Sequence, residues 1–235
     1  MRLRELHVEI LECVLVIVSI GQLGKAVSWL LSPLIVRLLD MLPGGASMIN
    51  QMLLGEIIQC GLILAIIWFF WRYGHKRSWQ ALGLQKSQDA HWLIWAIGNG
   101  LLLLVIMLMF SLLLSLLLPN GLPPQNVAAI ITTAQTPWEK LVPVIVTGIL
   151  APVSEELLFR GFIYNSLRTK FTASISILLT AAVFGCMHGD LLRMLPLMLG
   201  GIWLNILYVK TDSLYVPMVA HSVWNLCMTA IIYLT

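Results

Sequence analysis

Ile145-Val-Thr-Gly-Ile-Leu-Ala-Pro-Val-Ser-Glu-Glu-Leu-Leu-Phe-Arg-Gly-Phe-Ile-Tyr-Asn-Ser-Leu167 has the length and apolar character of a membrane-spanning helix, yet it carries Glu155 and Glu156 side by side near its middle. An ionised carboxylate in hydrocarbon is costly, so such residues mark substrate paths, proton relays or catalytic centres. Arg160 follows Glu156 by four residues and shares its helix face, which gives that carboxylate a built-in ion-pair partner. Glu155 is therefore the candidate for chemistry. Pro152 removes a backbone donor one turn earlier, and in α-helical register this frees the carbonyl of Gly148 and kinks the helix. A broken helix beside a buried acid is a way to line an aqueous cavity.

The rest of the chain supports a membrane setting. Of its 235 residues 59% are hydrophobic and only 11% charged, with a mean hydropathy of +0.91, whereas a soluble domain carries about 25% charged residues. The net charge of +3 is too small and too scattered for nucleic-acid binding. About seven stretches suit a membrane crossing, near 8–31, 48–71, 92–118, 139–165, 173–188, 192–209 and 214–234. The fold class expected is an all-α, polytopic transmembrane bundle whose last four spans build a catalytic cavity.

Basic residues cluster on alternate sides of these spans. Arg2 and Arg4 precede the first; Arg72, Lys76, Arg77 and Lys86 fill the second connection; Arg168 and Lys170 lie in the fourth and Lys210 in the sixth; 119–138 has none. The positive-inside rule then puts the N-terminus in the cytoplasm and the C-terminus outside. Pro33 to Leu42 reads as an interfacial piece, and no cleavable signal peptide is expected. Residues 1–120 form N-terminal spans, 121–138 an external loop with a short helix in 126–136, and 139–235 the catalytic core. The cysteines Cys13, Cys60, Cys186 and Cys227 fall inside spans without CxxC spacing and read as apolar packing. Trp68, Trp71, Trp79, Trp92 and Trp95 read as an interfacial belt, and Glu56 equally as a packing or interface residue or as a gate or partner for Lys25.

Three polar pairs recur at a spacing of four: Glu156 with Arg160, Phe184 with His188, and His221 with Asn225. Each pair shares a helix face. Taken singly, these residues have plainer uses. His221 and Asn225 suit interhelical hydrogen bonds, as do Asn99 and Asn205; His188 suits a helix end, with Asp190 and Arg193 near enough to orient it.

In order, Ala151-Pro-Val-Ser-Glu-Glu-Leu-Leu-Phe-Arg-Gly, Phe184-Gly-Cys-Met-His188 and His221-Ser-Val-Trp-Asn225 resemble the three motifs of the CPBP intramembrane proteases, EExxxR, FxxxH and HxxxN. That family, formerly called Abi, groups CAAX prenyl endoproteases with bacterial proteins of bacteriocin processing and self-immunity. The resemblance covers about residues 140 to 230. It implies hydrolysis of a peptide bond in a membrane-associated or prenylated substrate, with Glu155 as general base, His188 positioning water, and His221 and Asn225 stabilising the oxyanion. Glu156, Arg160 and Phe184 would support them. It implies a metal-free reaction, with zinc on Glu155, His188 and His221 as the alternative, although HExxH is missing. The compact chain resembles the bacterial branch, and its expected partners are the cell-membrane bilayer and a peptide or lipidated protein. A non-enzymatic peptide binder such as an immunity protein, and a proton-coupled transporter using Glu155, are the competing classes; the latter favours a second broken helix in the first half, which the sequence does not offer.

Overall fold

The computed structural model describes residues 3–235, with side chains from Leu11 onward. Arg2 and the side chain of Arg4, read above as a topology signal, lie outside the described residues. The described residues form helices and no strand: α1 (Leu3–Leu30), α2 (Ser32–Met41), α3 (Met48–Gly74), α4 (Trp92–Leu117), α5 (Asn126–Ile131), α6 (Pro137–Arg168), α7 (Ala173–Met187), α8 (Met194–Thr211) and α9 (Tyr215–Leu234). The piece expected at the interface is the ten-residue helix α2, and the helix expected in 126–136 is α5.

Among the described residues six segments are long and apolar enough to cross a membrane: Leu11–Leu30 of α1, then α3, α4, α6, α8 and α9. The seventh expected span is α7, whose 15 residues extend about 22 Å, short of a hydrocarbon core of about 30 Å. Helix α4 shows why bilayer is its solvent. Only Ala96, Gly100, Leu103 and Met107 are buried, at spacings of four, three and four, while Ile94, Val105, Met109 and Leu116 stand exposed on other faces. A narrow packed stripe on an otherwise apolar helix suits lipid on the remaining sides.

The chain folds into two compact units, and both draw on segments from before and after residues 121–138. One holds the described residues up to Lys76 with Gln125–Ser154 and Asn225–Thr235. Its core gathers Ile49, Ala134, Val142 and Val146, with Trp138 and Tyr233 packed against them. Asn50 pins the turn before α3: its amide donates to the carbonyls of Pro43 and Gly45 at 2.9 and 2.8 Å, and its oxygen accepts from Trp138 Nε1 at 2.9 Å. Glu56 lies in this unit with Ser154 Oγ at 3.4 Å and Cys60 Sγ at 3.5 Å, the neighbours found in place of Lys25. Trp71, expected in the interfacial belt, is buried.

The other unit holds Arg77–Pro124 and Glu155–Trp224. Its 79–85 segment is sewn to the turn between α8 and α9. Leu214 donates its N–H to the Gly83 carbonyl at 2.8 Å, Ser213 Oγ donates to the Gln85 carbonyl at 2.6 Å, and Gln85 Nε2 donates to the Asp212 carboxylate at 2.6 Å. Gly83 has φ of +96°, and a Cβ there would stand 2.6 Å from the Tyr208 ring, so glycine is required by both backbone and space.

Helix α4 meets α9 at Gly100. A Cβ there would meet the Ala220 carbonyl oxygen at 2.5 Å and Val223 Cβ at 2.8 Å, whereas one at Gly98 would meet nothing within 4 Å. Gly100→Ala is expected to lose about 1–3 kcal/mol by overpacking, while Gly98→Ala holds or gains stability. Thermal unfolding of both variants in detergent checks this.

Candidate active site

Helix α6 carries two π-helical stretches, Val146–Leu150 and Leu157–Tyr164, with Glu155 and Glu156 in the α-helical piece between them. The first stretch is how the chain accommodates Pro152. Ala151 N–H bonds to the Val146 carbonyl, five residues back. In that register the carbonyl that loses its donor to Pro152 is Thr147, not Gly148 as the α-helical count expects. Asn225 Nδ2 supplies the missing donor at 2.9 Å from the Thr147 oxygen. Thr147 Oγ1 also shares a hydrogen bond of 2.8 Å with Thr229 Oγ1, one turn beyond Asn225.

Glu156 and Arg160 are both fully buried, and Arg160 Nη1 donates to Glu156 Oε1 at 2.9 Å. Arg160 Nη2 donates to the Gly201 carbonyl at 3.0 Å, and its guanidinium carbon lies 4.9 Å from the centre of the Phe184 ring. The same Glu156 oxygen has a second partner that motif spacing does not disclose: His221 Nδ1 at 2.8 Å. A carboxylate only accepts, so this contact places the imidazole proton on Nδ1 and leaves Nε2 facing Glu155 Oε2 at 3.8 Å. Trp224 stacks on the His221 ring at 5.4 Å and 23°, fixing its plane. Glu155 keeps 19% of its side-chain surface open, whereas Glu156 has none exposed.

His188 caps the end of α7, where its Nδ1 lies 2.7 Å from the Phe184 carbonyl. A carbonyl also only accepts, so Nδ1 carries the proton and Nε2 offers a lone pair. The Phe184 ring is the spacer between the two histidines, 4.6 Å from His188 and 6.1 Å from His221. Beyond His188, Arg193 Nη1 donates to Asp190 at 2.7 Å and Nη2 donates to the Pro123 carbonyl. Burial works to raise the Asp190 pKa, but the hydrogen bonds from Arg193 outweigh it and hold the carboxyl below its usual range.

Glu155, Glu156, Arg160, Phe184, His188 and His221 thus all belong to one compact unit, whereas Asn225 belongs to the other, with Thr147. Trp224 and the Gly201 carbonyl join the constellation without having been singled out beforehand. Both have a trace in the sequence: Trp224 stands inside the third motif, and Gly201 is one of a glycine pair in an apolar helix. Among the described residues no group of three or more His, Cys, Asp or Glu side chains is placed to hold a metal.

Residues 137–227 match the family described as Type II CAAX prenyl endopeptidase Rce1-like. The chain is 33% identical over 82 residues to the Putative membrane peptidase YdiL of Bacillus subtilis (strain 168), covering 35% of this chain and 34% of that protein. It is 30% identical over 82 residues to the UPF0177 protein YxdF of Lactococcus lactis subsp. lactis (strain IL1403), covering 34% of this chain and 45% of that one. The matched segment thus spans less than half the length of either relative. No solved structure matches the chain.

Because Glu156 and Arg160 are fully buried, removing either partner strands a charge. Glu156→Ala and Arg160→Ala are each expected to lose about 3–5 kcal/mol of stability. The double variant should lose less than the two together, because the partners share one interaction. Chemical denaturation in mild detergent measures all three.

Proposed function

We propose that this chain, whose residues 137–227 belong to the Rce1-like CAAX prenyl endopeptidase family, is an intramembrane endopeptidase that uses Glu155 as its general base. The observation that carries the reading is the division of labour between adjacent carboxylates. Glu156 is buried and committed to Arg160 and His221, while Glu155 is partly exposed and faces His221 Nε2.

In the proposed reaction a water molecule attacks the scissile carbonyl carbon and gives its proton to Glu155. His188 Nε2 accepts the water's other hydrogen and aims its lone pair, a role supported by the Nδ1–H contact to Phe184. The carbonyl oxygen becomes an oxyanion, stabilised by donors preset for it. His221 takes this role only with a proton on Nε2 as well, since its Nδ1–H is held by Glu156. Asn225 has one amide hydrogen on Thr147 and a second to offer. Collapse of the intermediate breaks the C–N bond, and Glu155 passes its proton to the departing amine. No metal enters these steps.

The substrate class that suits the site is an extended segment of a membrane-associated or lipidated peptide. A bilayer-embedded acid is reached most readily by a chain already held at the membrane, and the family description names prenyl endopeptidases. Cleavage of quenched prenylated and unprenylated peptides by protein in detergent tests the proposal. Glu155→Gln is expected to lower turnover by about 10²–10⁴ without loss of fold, Asn225→Ala by about 10²–10³, and a chelator to leave wild-type turnover unchanged. Peptide binding without cleavage in wild type and Glu155→Gln alike would make the chain a binder. Loss with the chelator and recovery with zinc would make Glu155 a ligand.

A further inference from the structure

Every buried side-chain nitrogen or oxygen that lacks a hydrogen-bonding partner among the described residues falls in the unit that carries Glu155. The atoms are Glu156 Oε2, Arg160 Nε, Ser176 Oγ, Thr180 Oγ1 and Asn205 Oδ1, on residues that are each 0% exposed. Buried polar groups are almost always paired, and in apolar surroundings an unmade hydrogen bond is strongly unfavourable. A cluster of five needs a partner.

Two of these residues share one acceptor. Arg160 Nη2 and Asn205 Nδ2 both donate to the Gly201 carbonyl, at 3.0 and 2.8 Å. Helices α7 and α8 run antiparallel: Gly185 faces Met194 and Met198, and Gly201 faces Ala181 and Phe184. One turn further toward the start of α7, that pairing brings Ser176 and Thr180 alongside Asn205. Ser176, Thr180 and Phe184 follow at intervals of four, and the Phe184 ring lies against the Arg160 guanidinium. The three helices that carry these atoms, α6, α7 and α8, pack against one another.

The chemistry of the set selects its occupant. It contains two acceptors (Glu156 Oε2 and Asn205 Oδ1), one donor (Arg160 Nε) and two hydroxyls that do either. A cation would be repelled by the guanidinium, and an anion by the carboxylate and the amide oxygen. Water donates and accepts, and a buried water makes about three hydrogen bonds, so about two suffice for five atoms. We propose that Arg160, Ser176, Thr180 and Asn205, with the second oxygen of Glu156, form a buried water-binding site that completes the hydrogen bonding of the ion pair. The site stands whether or not the chain cleaves peptides, because it rests on packing within one unit alone.

Near-isosteric variants separate a wet site from a dry one. Thr180→Val and Ser176→Ala keep the packing and remove one hydroxyl each. With water held there, each strands the other partners and lowers the thermal midpoint in detergent by about 2–4 °C, and the double variant falls by less than the sum. A midpoint that rises or stays unchanged in both single variants overturns the proposal, since deleting a hydroxyl with no partner relieves the fold. A second readout serves where a variant fails to fold. Pulsed X-ray radiolysis in oxygen-18 water should label the fully buried Phe184 ring, and Ser176→Ala should reduce that label several-fold. No label in wild type, or an equal label in both proteins, also overturns it.

Discussion

One oxygen of Glu156 holds the candidate site together. It accepts from Arg160 Nη1 at 2.9 Å and from His221 Nδ1 at 2.8 Å, with all three side chains buried. A carboxylate in this setting is tolerable only while both partners stay in place. Arg160 is held in turn by the Gly201 carbonyl and the Phe184 face, and His221 by the Trp224 ring. Three segments distant in sequence are thereby tied to α6. The tie also sets the imidazole tautomer, which is a chemical consequence of what looks in sequence like a structural ion pair.

The second constraint is the bilayer, where no bulk water repairs a broken backbone ladder. Pro152 deletes one donor from α6, and the helix answers by shifting into π register and drawing a side-chain amide onto the Thr147 carbonyl. This gives Asn225 a structural task besides the chemical one proposed for it. Its amide is oriented by a fixed acceptor, as an oxyanion donor must be. Phe184 is similarly double in use, since its ring faces Arg160 and both histidines while its carbonyl takes the His188 proton.

Much of this was legible beforehand, for identifiable reasons. Apolar runs of about 20 residues announced the long helices, and the spacing of Glu156 and Arg160 announced their pairing, because both signals are local. Helix α7 counts among the seven stretches that reach or nearly reach spanning length by hydropathy, which registers composition and not whether 15 residues reach across. The lost donor at Pro152 was evident, but the freed carbonyl was misassigned by one residue because a sequence does not display a change of helical register. The contact between Glu156 and His221 bridges 65 residues, and no spacing rule reaches that far. Trp71 was grouped with its tryptophan neighbours at the interface, whereas its position on α3 turns it inward.

The state of the His221 ring is the most direct test of this account. Nitrogen-15 NMR of histidine-labelled protein in detergent micelles, assigned with His221→Gln, reads which ring nitrogen carries a proton. A protonated Nδ1 in wild type, its proton shifted far downfield by a charged acceptor and moved upfield in Glu156→Gln, is the predicted result. A bare Nδ1, or a signal indifferent to Glu156→Gln, would contradict the shared carboxylate and with it the roles assigned to both glutamates.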